Sequence, residues 1–311
     1  NEAGRMIYDG DVLIAQKGKL IGHNTRFSFK PFNILYCDID FDLKTSSLNI
    51  LEDYEGKLEE MSQVLPLALF DYLIKSKSKG FVLSLSGGAD SGTIAILVRR
   101  MIDLAIKELG IAHLKEKLGL PANILNVKDI MSSIMITAYQ RTQNSSVETA
   151  SAARKLAEFI GSTHYEWDID IQVKGYCDII ENAIGRKLTW DRDDITLQNI
   201  QARGRSPIIW MLANINHYLL LTTSNRSEGD VGYTTMDGDT SGSISPIAAV
   251  DKYFILKWLK YAEKTFNYTG LSQINKLVPS AELRPVDEKQ NDETDLMPYQ
   301  VLVEIEQWAI Q

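Results

Sequence analysis

A chain of 311 residues can build one large domain or two small ones, and its 44% hydrophobic and 24% charged content is that of an ordinary globular protein. A net charge of −8 argues against a broad nucleic-acid-binding face, which needs a basic surface, and leaves any anionic substrate to be held by local cations. No apolar run approaches the ~20 residues that span a bilayer, so neither a membrane nor a nucleic acid is expected as a partner. Two cysteines far apart, Cys37 and Cys177, suit a reduced, cytoplasmic setting better than a disulfide framework. His23, His113, His164 and His217 show no ligand spacing. No signal peptide is read at the start, and because the first residue is Asn1, the chain reads as a piece of a longer one.

Residues 1–43 read as short strands. Asp9-Gly10 precedes V-L-I-A, and Lys17-Gly18-Lys19 separates that run from L-I-G, which predicts a hairpin. The stretch I-L-Y-C-D-I-D predicts a further strand with Cys37 packed on the face of Leu35 and Ile39. Hairpins of this length are not stable alone. Residues 45–49 form a polar linker. Residues 51–76 predict a helix with an acidic start (Glu52, Asp53, Glu55), an apolar face from Leu58 to Leu73, and Pro66 as a kink point.

The most informative stretch is F-V-L-S-L-S-G-G-A-D-S, residues 81–91. Phe81, Val82, Leu83 and Leu85 suit a buried parallel strand. Gly87 and Gly88 remove two side chains at a turn, so backbone N–H groups there can approach an anion. Ile94, Leu97, Val98, Met101, Ile102 and Ala105 then recur at helical spacing. An exposed helix N-terminus with the Ser86 and Ser91 hydroxyls is a phosphate site. Asp90 would repel phosphate there unless a divalent cation intervenes. The plain alternative is a tight strand-to-helix turn in which Asp90 only favours the helix start.

Residues 107–129 read as a charged connection. A strand over residues 133–138 is followed by Ser145-Ser-Val-Glu148, a capping box opening a helix that Gly161 stops. A third strand covers residues 163–167. This alternation predicts βαβ units with a parallel sheet and ligands beyond the carboxyl ends of its strands. A helix over residues 169–184 and a polar segment over residues 185–194 precede Gln198, Gln201 and Arg205 on one helical stripe, with Asn199 and Arg203 beside it. That stripe is a solvated face, a polar pocket or a subunit interface. It leads into Ile208, Ile209, Trp210 and Leu212, which predict a helix buried on most sides. A buried strand over residues 218–222 ends in Thr223-Ser-Asn-Arg-Ser-Glu228, where Glu228 could face Asp90 as a second magnesium ligand. Lys252 opens a helix; a cation there is misplaced unless an anion faces it, and an exposed lysine is the plain alternative.

Ser-Gly-Gly-x-Asp-Ser at residues 86–91 resembles the pyrophosphate loop of the ATP pyrophosphatases, and it is not a Walker A loop because no Lys follows. Gln198-Asn-Ile-Gln-Ala-Arg-x-Arg205, Thr223-Ser-Asn-x-Ser-Glu…Gly232-Tyr-x-Thr…Gly238-Asp239 and Ala281-Glu-Leu-Arg-Pro…Gln-x-Asp-Glu293 resemble, in order, the motifs of the NAD synthetase family. The first residues are similar to the last strands of a nitrilase-type amidase, with Asp11 in place of a Ser, which points to the glutamine-dependent form. The resemblance implies an α/β fold: a doubly wound parallel sheet of adenine nucleotide alpha-hydrolase type, preceded by a short β-hairpin remnant. It divides the chain into an amidase remnant (1–44), a linker (45–50) and a synthetase domain (51–311).

The implied reaction is ATP-dependent amidation of nicotinate adenine dinucleotide to NAD through an acyl adenylate, with magnesium as cofactor, ATP as co-substrate and ammonia as the nitrogen donor. A glutaminase domain upstream would supply that ammonia, and a homo-oligomer is expected. Carried over by motif, Ser84, Ser86, Gly87, Gly88, Asp90, Ser91, Thr223 and Lys252 would hold ATP and pyrophosphate, and Asp90 and Glu228 the metal. Asn199, Arg203, Arg205, Tyr233 and Asp239 would hold the dinucleotide. Asp90, Lys252, Asp239 and Glu282 would be the catalytic set, Glu282 on a closing loop. Met236 stands where many ammonia-only relatives have Lys, which puts a cationic contact with the nicotinate carboxylate in question. The alternatives are another ATP pyrophosphatase amidotransferase, GMP-synthetase-like, and a non-catalytic ATP-binding module.

Overall fold

The structure is a computed structural model that describes residues 6–39, 41–42, 56–285 and 291–310. The 45–50 linker, the acidic start at Glu52, Asp53 and Glu55, and Gln290 of the last motif lie outside the described residues. Strands β1 (Leu13–Gln16) and β2 (Lys19–His23) form the expected antiparallel hairpin. Residues 33–39 do not form the expected strand, because no neighbouring strand pairs with them. Tyr36 is 86% exposed, and Ile39 is exposed rather than packed. Cys37 is half-buried, its thiol 3.7 Å from the Ile21 carbonyl. Behind the hairpin, the chain docks on helix α1 (Lys57–Ser76) by stacking Phe29 on Phe70 and pairing Arg26 with Glu60 at 2.6 Å.

Strand β3 (Phe81–Ser84) leads into α2 (Ala89–Leu109), whose side chains are buried nearly all round. Residues 107–129 are mostly helical rather than a surface connection. Helix α3 (Ile111–Leu118) follows Gly110, and Asn126 caps α4 (Val127–Ile134) by accepting the Asp129 N–H. The charges that suggested a connection sit on outer faces, while Leu114, Ile130 and Met131 turn inward. Strand β4 (Met135–Arg141) precedes α5 (Val147–Ile160). Ser146, not Ser145, caps α5 by accepting the Thr149 N–H at 3.1 Å, while Ser145 Oγ accepts the Thr142 N–H. Gly161 ends α5 at φ 81, a conformation glycine adopts freely.

Strand β5 (Thr163–Asp168) and helices α6 (Asp170–Ile184) and α7 (Trp190–Asn216) follow. Helix α7 starts inside the segment read as polar and breaks its helical geometry at Asp193. Its apolar half is not buried on most sides: Ile209 and Ala213 face the sheet, while Met211 and Ile215 face outward. The chain continues through β6 (Leu219–Leu221), α8 (Arg226–Val231), α9 (Lys252–Phe266), α10 (Asp292–Asp295) and α11 (Tyr299–Ile310).

The sheet has order β5-β4-β3-β6, and each neighbouring pair is parallel. Alternation along β3 divides the core. Phe81 and Leu83 join the larger cluster formed with α1, α2, α4, α5 and α9, while Val82 joins Ile136, Leu220 and α7 on the other face. Helices cover both faces, as the period of the sequence predicts for a parallel sheet. The carboxyl ends of β3, β4 and β6 are thereby brought to one rim.

Candidate active site

A cavity of about 710 Å³ opens at that rim, a size typical of a small-molecule site. Gly87 makes its floor possible. Its φ is 82, and a Cβ there would lie 2.2 Å from the Thr149 carbonyl oxygen. Gly88 is the N-cap of α2 and offers no side-chain cap, so the leading N–H groups of that helix remain available to an anion. Ser86 Oγ accepts the Gly88 N–H at 3.3 Å and lies 3.0 Å from Ser91 Oγ.

Above this loop three charged side chains converge. Lys252 Nζ, in the first turn of α9, bonds to Asp90 Oδ2 in the first turn of α2 and to Glu228 Oε1 of α8 at 3.2 Å. Lys252 is 3% exposed, so it is neither a surface lysine nor an unopposed cation. Asn225 couples the two acids. Its Nδ2 donates to Asp90 Oδ1 at 3.0 Å, and its Oδ1 accepts the Glu228 N–H at 3.0 Å. The Glu228 carboxylate accepts the Asn225 N–H in return, completing a capping box for α8.

Burial and the neighbouring Asp90 hold the Glu228 carboxyl well above the usual carboxylate range, against the pull of Lys252. Burial alone would lower the Lys252 ammonium, but Asp90 and Glu228 outweigh it and keep that group charged. Burial also raises Asp239 and Asp292, and the charge of Asp90 adds to both. Several acids therefore share one buried ammonium. Such a surplus suits a divalent cation, and an all-oxygen donor set is the magnesium class. Among the described residues no group of three or more His, Cys, Asp or Glu side chains could hold a metal. A magnesium ion at Asp90 and Glu228 would therefore have to take most of its ligands from phosphate and water.

Most of the sequence-predicted residues meet here. Ser84, Ser86, Gly88, Asp90, Thr223, Glu228 and Lys252 line the cavity. Asn199, Arg205, Tyr233, Asp239 and Glu282 line it as well. Gly87, Ser91 and Arg203 do not line it. The Ser91 hydroxyl turns back to Ser86 and the Gly88 carbonyl. Arg203 is exposed on the outer side of α7, its Nε donating to the Met236 carbonyl at 2.9 Å. Arg205 has no ion-pair partner among the described residues; burial lowers its pKa against the influence of Tyr139, Glu282 and Asp239.

A strap over residues 280–285 crosses the cavity and is fastened at three points. Glu282 sits at φ 48 and accepts the Thr149 hydroxyl (2.8 Å) and the Ser146 N–H (3.3 Å) at the start of α5. The Leu283 carbonyl accepts Gln201 Nε2 (2.7 Å) and Asn144 Nδ2 (3.1 Å). Arg284 bridges Asp194 and Asp295. Asn144 and Tyr299 were not singled out in the sequence, and Asn225 and Asp292 stood within the quoted motifs without a role. Asn225 was detectable as an N-x-x-E capping box before a short helix; the other three act only across long sequence separations.

The NAD synthase family model matches residues 61–310. Glutamine-dependent NAD(+) synthetases of Oryza sativa subsp. indica and Arabidopsis thaliana are 30% and 29% identical, each aligned over 97% of this chain. The alignments cover 49% and 50% of those proteins, so the chain spans about half the length of the curated relatives it matches. The crystal structure of a glutamine-dependent NAD(+) synthetase from Cytophaga hutchinsonii superposes with a TM-score of 0.81 at 52% identity, covering 90% of this chain and 48% of that one. With the family's pattern running through the glycine loop, the strap and the terminal helix, the chain belongs to the NAD synthase family.

Proposed function

We propose that this chain carries the synthetase half of a glutamine-dependent NAD synthetase and amidates nicotinate adenine dinucleotide to NAD at the expense of ATP. The observation that carries the reading is one cavity joining the Asp90–Glu228–Lys252 cluster at the α2 N-terminus to the unpaired Arg205. One end suits a triphosphate and the other a second anion. In the reaction, a carboxylate oxygen of the dinucleotide attacks the α-phosphorus of ATP, and pyrophosphate leaves. Ammonia then attacks the acyl carbon, AMP leaves with the bond electrons, and the new amide sheds a proton.

Ser86, the leading N–H groups of α2 and Lys252 hold the phosphates; Asp90 and Glu228 would hold magnesium, which would neutralise phosphate charge. Arg205, with Asn199 and Tyr233, holds the dinucleotide. Asp239, whose carboxyl burial raises, accepts the proton released from the attacking nitrogen. Glu282 fixes the strap that shuts water out. No protein nucleophile is needed, because the attacking carboxylate is already charged; catalysis is positioning and charge neutralisation.

Residues 1–44 are assigned as the end of an amidase domain and 51–311 as the synthetase. Cys37 is half-buried in an irregular segment, so for these residues ammonium rather than glutamine is the expected nitrogen source. A cytoplasmic setting fits the two free thiols. We also infer a homo-oligomer. Among its described residues α6 has no buried side chain, and Ile171, Ile179 and Ile180 join Ile195, Met211 and Ile215 of α7 as exposed apolar groups. A second copy would bury them, and Ile195 also lines the cavity.

The test is pyrophosphate release and NAD formation from ATP, magnesium and ammonium with each candidate acid. Both signals should require nicotinate adenine dinucleotide. Pyrophosphate release with xanthosine monophosphate instead would return the GMP-synthetase-like alternative, which the family membership does not favour. ATP binding without turnover on any acid would return the non-catalytic one.

A further inference from the structure

We infer that Tyr299 is a positioning residue for Lys252, and that helix α11 packs behind the Asp90–Glu228–Lys252 cluster and braces it. The inference rests on the ATP half of the function proposed above. Tyr299 is 1% exposed, and its ring centroid lies 5.8 Å from Lys252 Nζ, within the range of a cation–π contact. The far side of the ring is also fixed. The Tyr299 hydroxyl donates to Asp292 Oδ2 at 2.9 Å, and its backbone N–H donates to Glu293 Oε1 at 2.9 Å. Asp292 is itself buried and lines the cavity beside Lys252.

The helix is tied to both elements that carry the cluster. Glu306 of α11, 4% exposed, accepts Arg226 Nη2 of α8 at 2.9 Å. The same Arg226 nitrogen lies 3.4 Å from Asp251, the N-cap of α9. Arg226 thus ties the helix bearing Glu228 both to α11 and to the start of the helix bearing Lys252.

Lys252 has a flexible four-carbon stem, and its ammonium holds two carboxylates only while that stem is confined. A metal ion between Asp90 and Glu228 would compete for the same acceptors, and the ammonium must then move toward the phosphates without leaving the site. A π face supplies attraction with no fixed acceptor geometry, so it can hold the cation through that short displacement. Tyr299 does not line the cavity, whereas Lys252 does; Tyr299 acts through Lys252.

The test is calorimetric binding of magnesium with a non-hydrolysable ATP analogue to the full chain, which needs no second substrate and no turnover. Tyr299→Phe keeps the ring and should bind within about twofold of wild type; Tyr299→Leu removes the ring and should bind about tenfold more weakly, equivalent to ~1.4 kcal/mol. The deciding readout is the pair. In a Lys252→Met background, Tyr299→Leu should add no further loss. Multiplying losses would make Tyr299 a general structural residue and overturn the inference, as would wild-type binding by Tyr299→Leu. Should Tyr299→Leu fail to fold, Tyr299→Met fills more of the space without a π face and is read in the same way. Binding results as expected, together with no NAD formation by the wild type, would sink the amidation reading and leave this one standing.

Discussion

Lys252 and Ile179 break the same rule in opposite directions. Charged side chains belong in water and isoleucines in the core, yet Lys252 is 3% exposed at the cavity rim and Ile179 of α6 is 68% exposed on the outer face. At the rim the polar groups are over-determined: Asp90, Glu228, Asn225 and Lys252 bond to one another, and burial, helped by the charge of Asp90, lifts the Glu228 carboxyl. On the outer face nothing described covers the apolar side chains. Misplaced charge calls for a small charged ligand, and misplaced apolar surface calls for protein. The predictions below are ways of forcing the two apart.

The largest effect is expected at the rim. Asp90→Asn removes one carboxylate from the shared ammonium and from the proposed metal, and should lower kcat for NAD formation by about 10²–10³, the range for losing one electrostatic contact to the reacting phosphate. Half-saturation by magnesium should rise as well. Oligomeric state should not change. A variant with normal magnesium dependence would remove Asp90 from the metal site.

The next concerns the outer face. Ile179→Lys combined with Ile215→Lys should convert the oligomer to monomer in sedimentation velocity. Each buried isoleucine contributes about 1.5–3 kcal/mol, so the pair should weaken association at least about 100-fold. Magnesium–nucleotide binding by the monomer should survive. Unchanged sedimentation would mean that this face is not the contact. A smaller effect is expected at the far end of the cavity. Arg205→Ala should raise KM for the dinucleotide about tenfold, the range for charge-assisted hydrogen bonds, with little change for ATP. Equal rises for both would place Arg205 in the ATP site instead.

The rim was far more legible in the sequence than the outer face, for a physical reason. A glycine turn between a buried strand and a helix has few alternative uses, so Gly87 and Asp90 point to an anion site before any coordinates are known. Glu228 and Lys252 follow from the same logic of strand ends and helix starts. What stayed hidden depends on distant partners. Tyr299 reads as an ordinary core aromatic, and only tertiary contact puts its ring near Lys252. Arg203 and Arg205 look equivalent in sequence, yet two positions along a helix are about 200° apart, so one faces the cavity and the other solvent. Residues 107–129 were misread because charge on the outer face of α3 and α4 hides a short inward stripe. The apolar half of α7 was read as buried on most sides because periodicity shows that a stripe is apolar, not which body covers it.

The smallest effect expected here is a control for the whole comparison. Arg186 and Asp193 form a two-pronged ion pair, 2.7 and 2.8 Å, at the surface turn between α6 and α7. Its geometry is as good as that of the rim cluster, but its cation is 33% exposed where Lys252 is 3%. The Arg186 hydrogen bond, followed by the Thr189 N–H, lowers the Asp193 carboxyl to about 2. An unfolded Asp titrates near ~3.9, so as pH falls the unfolded chain takes up this proton first. The stabilisation is therefore complete above the unfolded value, declines as pH falls below it, and is gone once the folded value is passed. Urea midpoints of the wild type and of Arg186→Gln should differ slightly near neutral pH, and the difference should close as pH approaches about 2. Added salt should shrink it at neutral pH, since the Arg186 side chain is 33% exposed. NAD formation should be unaffected throughout. A gap that is independent of pH would mean that Arg186 stabilises by packing rather than by charge. A gap as large as that caused by Lys252→Met would contradict the claim that burial, not pairing, sets the rim apart.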